Sequence, residues 1–236
     1  MVALALLSAA RLATLAAGRG GLPTAGEWPW IAVLLALVGL VGTKFLTTVG
    51  LPRWEAIAVA VGAPLLVLVD APLGDLAPGM SLAANLAGCA TPVSVGLVAL
   101  VRRRVPLLET FVLVGLGIVV AFFASRVVPD RGVLLSYRIP ALVVGITAAA
   151  LFRDAPAKAG VGAFAAGAIG VLVGADLLHL GELAANGGPG RVVLGGAGLL
   201  DGIFLVSILA GGLAASFAML LRTVAAPRKA ARGGAA

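Results

Sequence analysis

The chain holds one cysteine, Cys89, and one histidine, His179, in 236 residues. A lone cysteine excludes an internal disulfide and any multi-thiolate metal site, and a lone histidine excludes every metal motif that needs two. Neither a Walker-type Gly-x-x-x-x-Gly-Lys nor a Gly-x-Ser-x-Gly occurs, so nucleotide-driven and serine-hydrolase mechanisms have no support. No cofactor and no metal is implied. Charge is also scarce, at 11% of residues, against about a quarter in soluble domains. What fills the chain is 61% hydrophobic residues, with a mean hydropathy of +1.14. These values describe an all-α, polytopic helical membrane bundle whose first partner is the lipid bilayer.

The formal net charge of +7 does not point to nucleic acid. Its Arg and Lys cluster beside apolar runs, at Arg102-Arg103-Arg104 and Arg228-Lys229, where phosphate headgroups and the positive-inside bias explain them. Residues 1–26 read as an N-terminal apolar helix and linker. Arg11 interrupts that helix, which lies in the interface, or spans fully if Arg11 snorkels. Residues 27–222 form one transmembrane domain of about seven spans, near 28–50, 54–70, 79–101, 106–127, 133–152, 156–180 and a last one ending at Leu221. Residues 223–236 form a basic, disordered tail. Glu109 is expected to pair with the arginine triplet. Eleven Lys and Arg fall on one side of this topology and six on the other. The protein is therefore expected in the cytoplasmic (inner) membrane, multi-pass, with its C-terminus cytoplasmic. Oligomeric state is left open.

The polar residues inside apolar sequence are the functional candidates. Translocon scales put an Asp at mid-bilayer at roughly +3 kcal/mol, and both Asp176 and Asp201 lie in such sequence. In the sixth span Gly162, Ala166, Gly170 and Gly174 recur every four residues, a stripe that lets another helix approach closely. Asp176 is off that stripe, with His179 at i+3 on its own face and Glu182 near the mouth. The Gly195-Gly196-Ala197-Gly198 run favours a last helix that starts near Gly198, with 191–198 as an irregular or re-entrant lead-in packed against protein and Asp201 in the first turn of that helix, followed by Gly202. Both carboxyls then sit at similar depth in one hairpin. In contact they would share a proton and could activate water, bind a cation or carry protons. Structural roles compete with this reading. Asp201 could cap its helix, Asp176 could bond loop amides, His179 could cap a helix end, and Asn85 could be an interhelical hydrogen bond instead of lining a path.

The segments Gly174-Ala175-Asp176-Leu177-Leu178 and Gly195-Gly196-Ala197-Gly198-Leu199-Leu200-Asp201-Gly202-Ile203-Phe204-Leu205 resemble the motifs of an uncharacterised family of prokaryotic multi-pass membrane proteins, a domain of unknown function. Asn85-Leu86-Ala87-Gly88-Cys89-Ala90-Thr91-Pro92 is similar to that family's Asn-Leu-Gly-Gly-x-x-x-Pro segment, with Ala87 in place of a glycine. The resemblance implies fold and membrane location but no reaction. A more distant likeness is to the intramembrane aspartyl proteases, whose two catalytic Asp residues occupy consecutive spans, the second in Gly-x-Gly-Asp. Gly198 fits that motif, Leu200 replaces its second glycine, and Pro140-Ala141-Leu142 precedes the aspartates where the family's Pro-Ala-Leu follows them.

Three functions are therefore weighed. The first is an intramembrane aspartyl hydrolase using Asp176 and Asp201 on a membrane-embedded substrate, with His179, Gly195, Gly196, Gly198 and Gly202 lining the site. The second is a proton- or cation-coupled transporter of a small solute, with Asn85 along its path. The third is a structural or assembly protein.

Overall fold

The computed structural model describes residues 28–128, 132–186 and 190–233, and side chains from residue 36 to 224 within them. The expected N-terminal helix of residues 1–26 lies outside the described residues. Helix α1 (Trp28–Val49) is mostly apolar, with Lys44 and three threonines in its last two turns, and stops at Gly50, whose φ of 111° and whose approach to the Ala157 backbone leave no room for a side chain. After Pro52 comes α2 (Arg53–Ile57), a π turn (Ala58–Gly62) and α3 (Ala63–Leu65). Pro64 has no N–H for the regular ladder, which accounts for a widened turn before it.

The chain then extends. Strand β1 (Asp70–Ala77) turns at Pro78-Gly79 and pairs antiparallel with β2 (Met80–Asn85). Asn85 starts a π turn (Leu86–Ala90) that runs into α4 (Thr91–Val101). Helix α5 (Leu107–Ala124), the two-stranded ribbon β3 (Ser125–Val128) and β4 (Gly132–Leu135), and α6 (Arg138–Leu151) follow. Then come α7 (Pro156–Val171), a π turn (Leu172–Asp176), a 3-10 turn (Leu177–His179) and α8 (Leu180–Asn186). Strand β5 (Gly190–Leu194), a 3-10 turn (Gly198–Leu200) and α9 (Gly202–Gly233) complete the described chain. Strand β5 pairs parallel with β2, so the sheet order is β1-β2-β5.

The fold is mostly helical but not the all-α bundle of about seven continuous spans expected from hydropathy. Among the described residues three helices are long and apolar enough to cross a membrane, Leu107–Ala124, Pro156–Ala185 and Gly202–Val224. Ala36–Val49, Leu86–Val101 and Arg138–Leu151 are shorter apolar helices. The expected second and third spans do not form unbroken helices. The second stops at Leu65, and in the third the Asn85 side chain takes the amides of Ala87 and Gly88 that a continuing helix would direct to its own carbonyls. Helix α9 runs to Gly233, within the stretch expected as a basic tail of residues 223–236.

Helix α7 is the centre of the packing. Of the Pro156–Ala185 window 67% is buried, against 28% for Leu107–Ala124. A helix apolar on all sides and built from Gly and Ala lets neighbours approach from every direction. Gly96 meets Ala165, Gly167 meets the backbone at Val206 and Ser207, and Gly170 and Gly174 rest on the α5 backbone at Gly117 and Ile118. The predicted small-residue stripe therefore faces α5. On the outside, Phe111, Val112, Val119 and Phe123 of α5 are exposed, as suits contact with acyl chains and not water.

The helix connections at Gly50–Pro52, at 102–106 and at 152–155 share one end of the bundle, and the strands share the other. At the first end Arg104 places Nη1 2.6 Å from both Oε1 and Oε2 of the fully buried Glu55. Glu55, not the expected Glu109, is the carboxylate partner of the triplet.

Candidate functional site

Two parallel strands, β2 and β5, each deliver the chain into the start of a helix, and the two junctions touch. A Cβ on Gly88 would collide with the carbonyl oxygens of Gly195 and Gly198, and one on Gly195 with Cys89. Gly195 (φ 69°) and Gly198 (φ 61°) also hold left-handed backbone that side chains disfavour. Of the irregular lead-in expected at 191–198, residues 195–198 are irregular and packed against the Asn85–Ala90 turn, whereas 191–194 belong to the regular strand β5. Gly196 rests on Val193, and Gly202 on the side chain of Leu135.

Asn85 is 3% exposed and fully engaged. Its Oδ1 accepts from the amides of Ala87 (3.0 Å) and Gly88 (2.9 Å), while Nδ2 donates to the Val67 carbonyl and to Asp70 Oδ1, both at 2.8 Å. Those four bonds use its hydrogen-bonding capacity and leave nothing to offer a solute. Asp70 also lies 3.3 Å from Arg191 at the start of β5. Asn85, Asp70 and Arg191 therefore tie all three strands together. Sequence reasoning passed over Asp70 and Arg191. The available signal was an arginine opening an apolar stretch, with the Asp70–Asp75 turn free of Lys and Arg on the same side.

Asp201 lies one residue ahead of α9, and its Oδ1 accepts the Ile203 amide at 2.9 Å. That is an N-cap bond, so the capping role weighed from sequence is part of its geometry. Asp176 closes the π turn after α7. Its Oδ2 is buried without a hydrogen-bond partner, and the Gly195 amide lies beside the carboxyl. Asp176 and Asp201 stand within electrostatic reach of each other, and the buried Cys89 thiol is within reach of both. His179, one turn past Asp176, is 6% exposed and stacks on Phe122 with ring centroids 4.9 Å apart and planes at 30°. Its Nδ1 is buried and unpartnered. Buried polar atoms without protein partners cost on the order of 1–3 kcal/mol each, and ordered water commonly satisfies them.

Among the described residues no group of three or more His, Cys, Asp or Glu side chains is arranged to hold a metal ion. What comes within electrostatic reach is two carboxyls and a thiol, where the end of α7 lies near the two strand-to-helix junctions, while the His179 imidazole, one turn past Asp176, lies on Phe122. Carboxyls so arranged can exchange protons with a bound water or a solute.

The fold and these junctions define a mostly helical protein with helices apolar and long enough for a membrane. Its family follows from the sequence itself. The family model described as "Protein of unknown function (DUF1614)" matches residues 35–213, and the chain belongs to that family. The match runs from α1 into α9 and includes Asn85, Asp176 and Asp201. No curated protein and no solved structure matches the chain.

Proposed function

We propose that this protein is an intramembrane aspartyl hydrolase of the cytoplasmic membrane, in which Asp176 and Asp201 share the work of general base and general acid on a membrane-embedded polypeptide. The observation that carries the reading is that two partly buried carboxyls stand within electrostatic reach of each other, Asp176 at the end of the π turn after α7 and Asp201 just ahead of α9. Two carboxyls close together in a dehydrated site cannot both ionise cheaply. One then takes a proton from water as the water attacks the amide carbon, and the other gives a proton to the carbonyl oxygen. The unpartnered Asp176 Oδ2 suits a site that holds water. His179 and the glycines at 195, 196, 198 and 202 line it, and no cofactor enters the reaction. In this reading the chain crosses the bilayer seven times, its shorter helices completed by strands, with the C-terminus cytoplasmic.

The test is cleavage of a co-expressed single-span substrate. Asp176→Asn and Asp201→Asn should each reduce it to background, and cleavage retained by either variant overturns the assignment. A proton- or cation-coupled transporter is the second reading. It draws on the π turns within apolar helices, a device of transporter sites. That reading predicts pH-dependent flux in proteoliposomes, lost in Asp176→Asn.

A further inference from the structure

The end of the bundle away from the strands carries arginines whose arrangement is not accounted for by folding. Helix α4 closes with Arg103 N–H donating to the Leu100 carbonyl and Arg104 N–H to that of Ala99. This reversal sets Arg103 at φ 50°, and it is the only non-glycine residue with positive φ among the described residues. Glycine takes that position without strain, so an arginine there gives up stability in exchange for a cation at the tip of the turn. Its two neighbours have separate fates. Arg104 turns inward and is neutralised by the buried Glu55, which fastens the turn to α2. Arg102 turns outward, its guanidinium 5.6 Å from the centroid of Trp54, which is 52% exposed.

Arg53, next to Trp54, is exposed as well. Among the described residues no carboxylate pairs with Arg53, Arg102 or Arg103, and the exposed Glu109 makes no ion pair with them. Beneath the cations lies an apolar wall, with Val101 81% and Leu108 76% exposed. An indole at the boundary between acyl chains and headgroups fixes the depth of the patch. Guanidinium groups match phosphate oxygens in geometry and in charge.

From these observations we propose that Arg53, Arg102 and Arg103, with Trp54, form a binding site for the phosphate of an anionic phospholipid, whose acyl chains lie on Val101 and Leu108. The cations alone would suit any phosphate. The wall directly below them selects an amphiphile.

Trp54 can report occupancy in the full-length protein once Trp28 and Trp30 are replaced by Phe. In phosphatidylcholine vesicles, phosphatidylglycerol with brominated chains should quench Trp54 at several-fold lower mole fraction than brominated phosphatidylcholine does. Arg102→Gln with Arg103→Gln should remove the difference. Arg103→Gly supplies the second readout, because relief of backbone strain should raise the melting temperature while the preference for the anionic lipid falls. Equal quenching by the two lipids in the otherwise native protein overturns the proposal, as does a preference that survives the paired Gln substitution. Loss of the preference on adding millimolar water-soluble glycerol phosphate also overturns it, since the site would then take free phosphate and not a lipid.

Discussion

Asparagine caps a helix about as well as aspartate, so Asp201→Asn separates the capping bond that Asp201 makes from the catalytic role proposed for it. Its Oδ1 bond to the Ile203 amide survives the substitution, and stability in detergent should change by less than about 0.5 kcal/mol while hydrolysis disappears. An Asp201 that only caps would leave hydrolysis intact. Glu55 offers the contrasting case. It is fully buried against Arg104, and removing one partner of a buried ion pair leaves an uncompensated charge, at a cost of about 3–5 kcal/mol. Arg104→Met should therefore destabilise strongly in chemical unfolding, and Glu55→Leu combined with Arg104→Met should recover most of the loss. The sequence exposed Asp176 and Asp201 as candidates because each stands well inside apolar sequence. Glu55 went unnoticed because Arg53 stands two residues away and marks a segment edge, while its real partner is 49 residues distant. Separation of that kind leaves no local pattern to read.

Glycine positions decide whether the two strand-to-helix junctions can meet. Gly88 faces the carbonyl oxygens of Gly195 and Gly198, with no side chain between them that could move aside. Gly88→Ala must push backbone from backbone, at about 1–3 kcal/mol or more, and should lower both the melting temperature and activity. Gly115, in mid-α5, has open space where a methyl group would sit, with nothing within 4 Å. Gly115→Ala should stabilise by about 0.5–1 kcal/mol through helix propensity alone. Thermal melts of the two variants in the same detergent make the comparison. The small-residue stripe of α7 and the irregular lead-in at 195–198 were legible because both are local patterns of glycine and alanine. The strands were not. Their apolar runs have the length of spans, and what makes β2 and β5 strands is parallel pairing between distant segments, Met80 with Gly190 through Ala84 with Leu194, together with one asparagine that intercepts helical amides.

The two ends of the bundle differ in charge balance. Lys44, Arg53, Arg102, Arg103, Arg153 and Lys158 are exposed at the end that holds the helix connections, against Glu109 and Asp154, whereas the strand end sets Asp70, Asp75 and Glu182 against Arg126, Arg138 and Arg191. Basic residues near short connections hold their side in the cytoplasm, so the strand end, and with it Asp176 and Asp201, should open to extracytoplasmic water. Cys89 is buried, and a Cys89→Ala background gives a clean test with single cysteines placed at two exposed positions. Asp75→Cys should react with a membrane-impermeant maleimide in intact cells. Arg153→Cys should react only after the cells are opened. The reverse pattern would place the carboxyls on the cytoplasmic side, and the water consumed in hydrolysis would have to enter from there. Labelling of Asp75→Cys alone from outside would set the proposed hydrolytic site on the extracytoplasmic side, with the arginine end at the opposite surface.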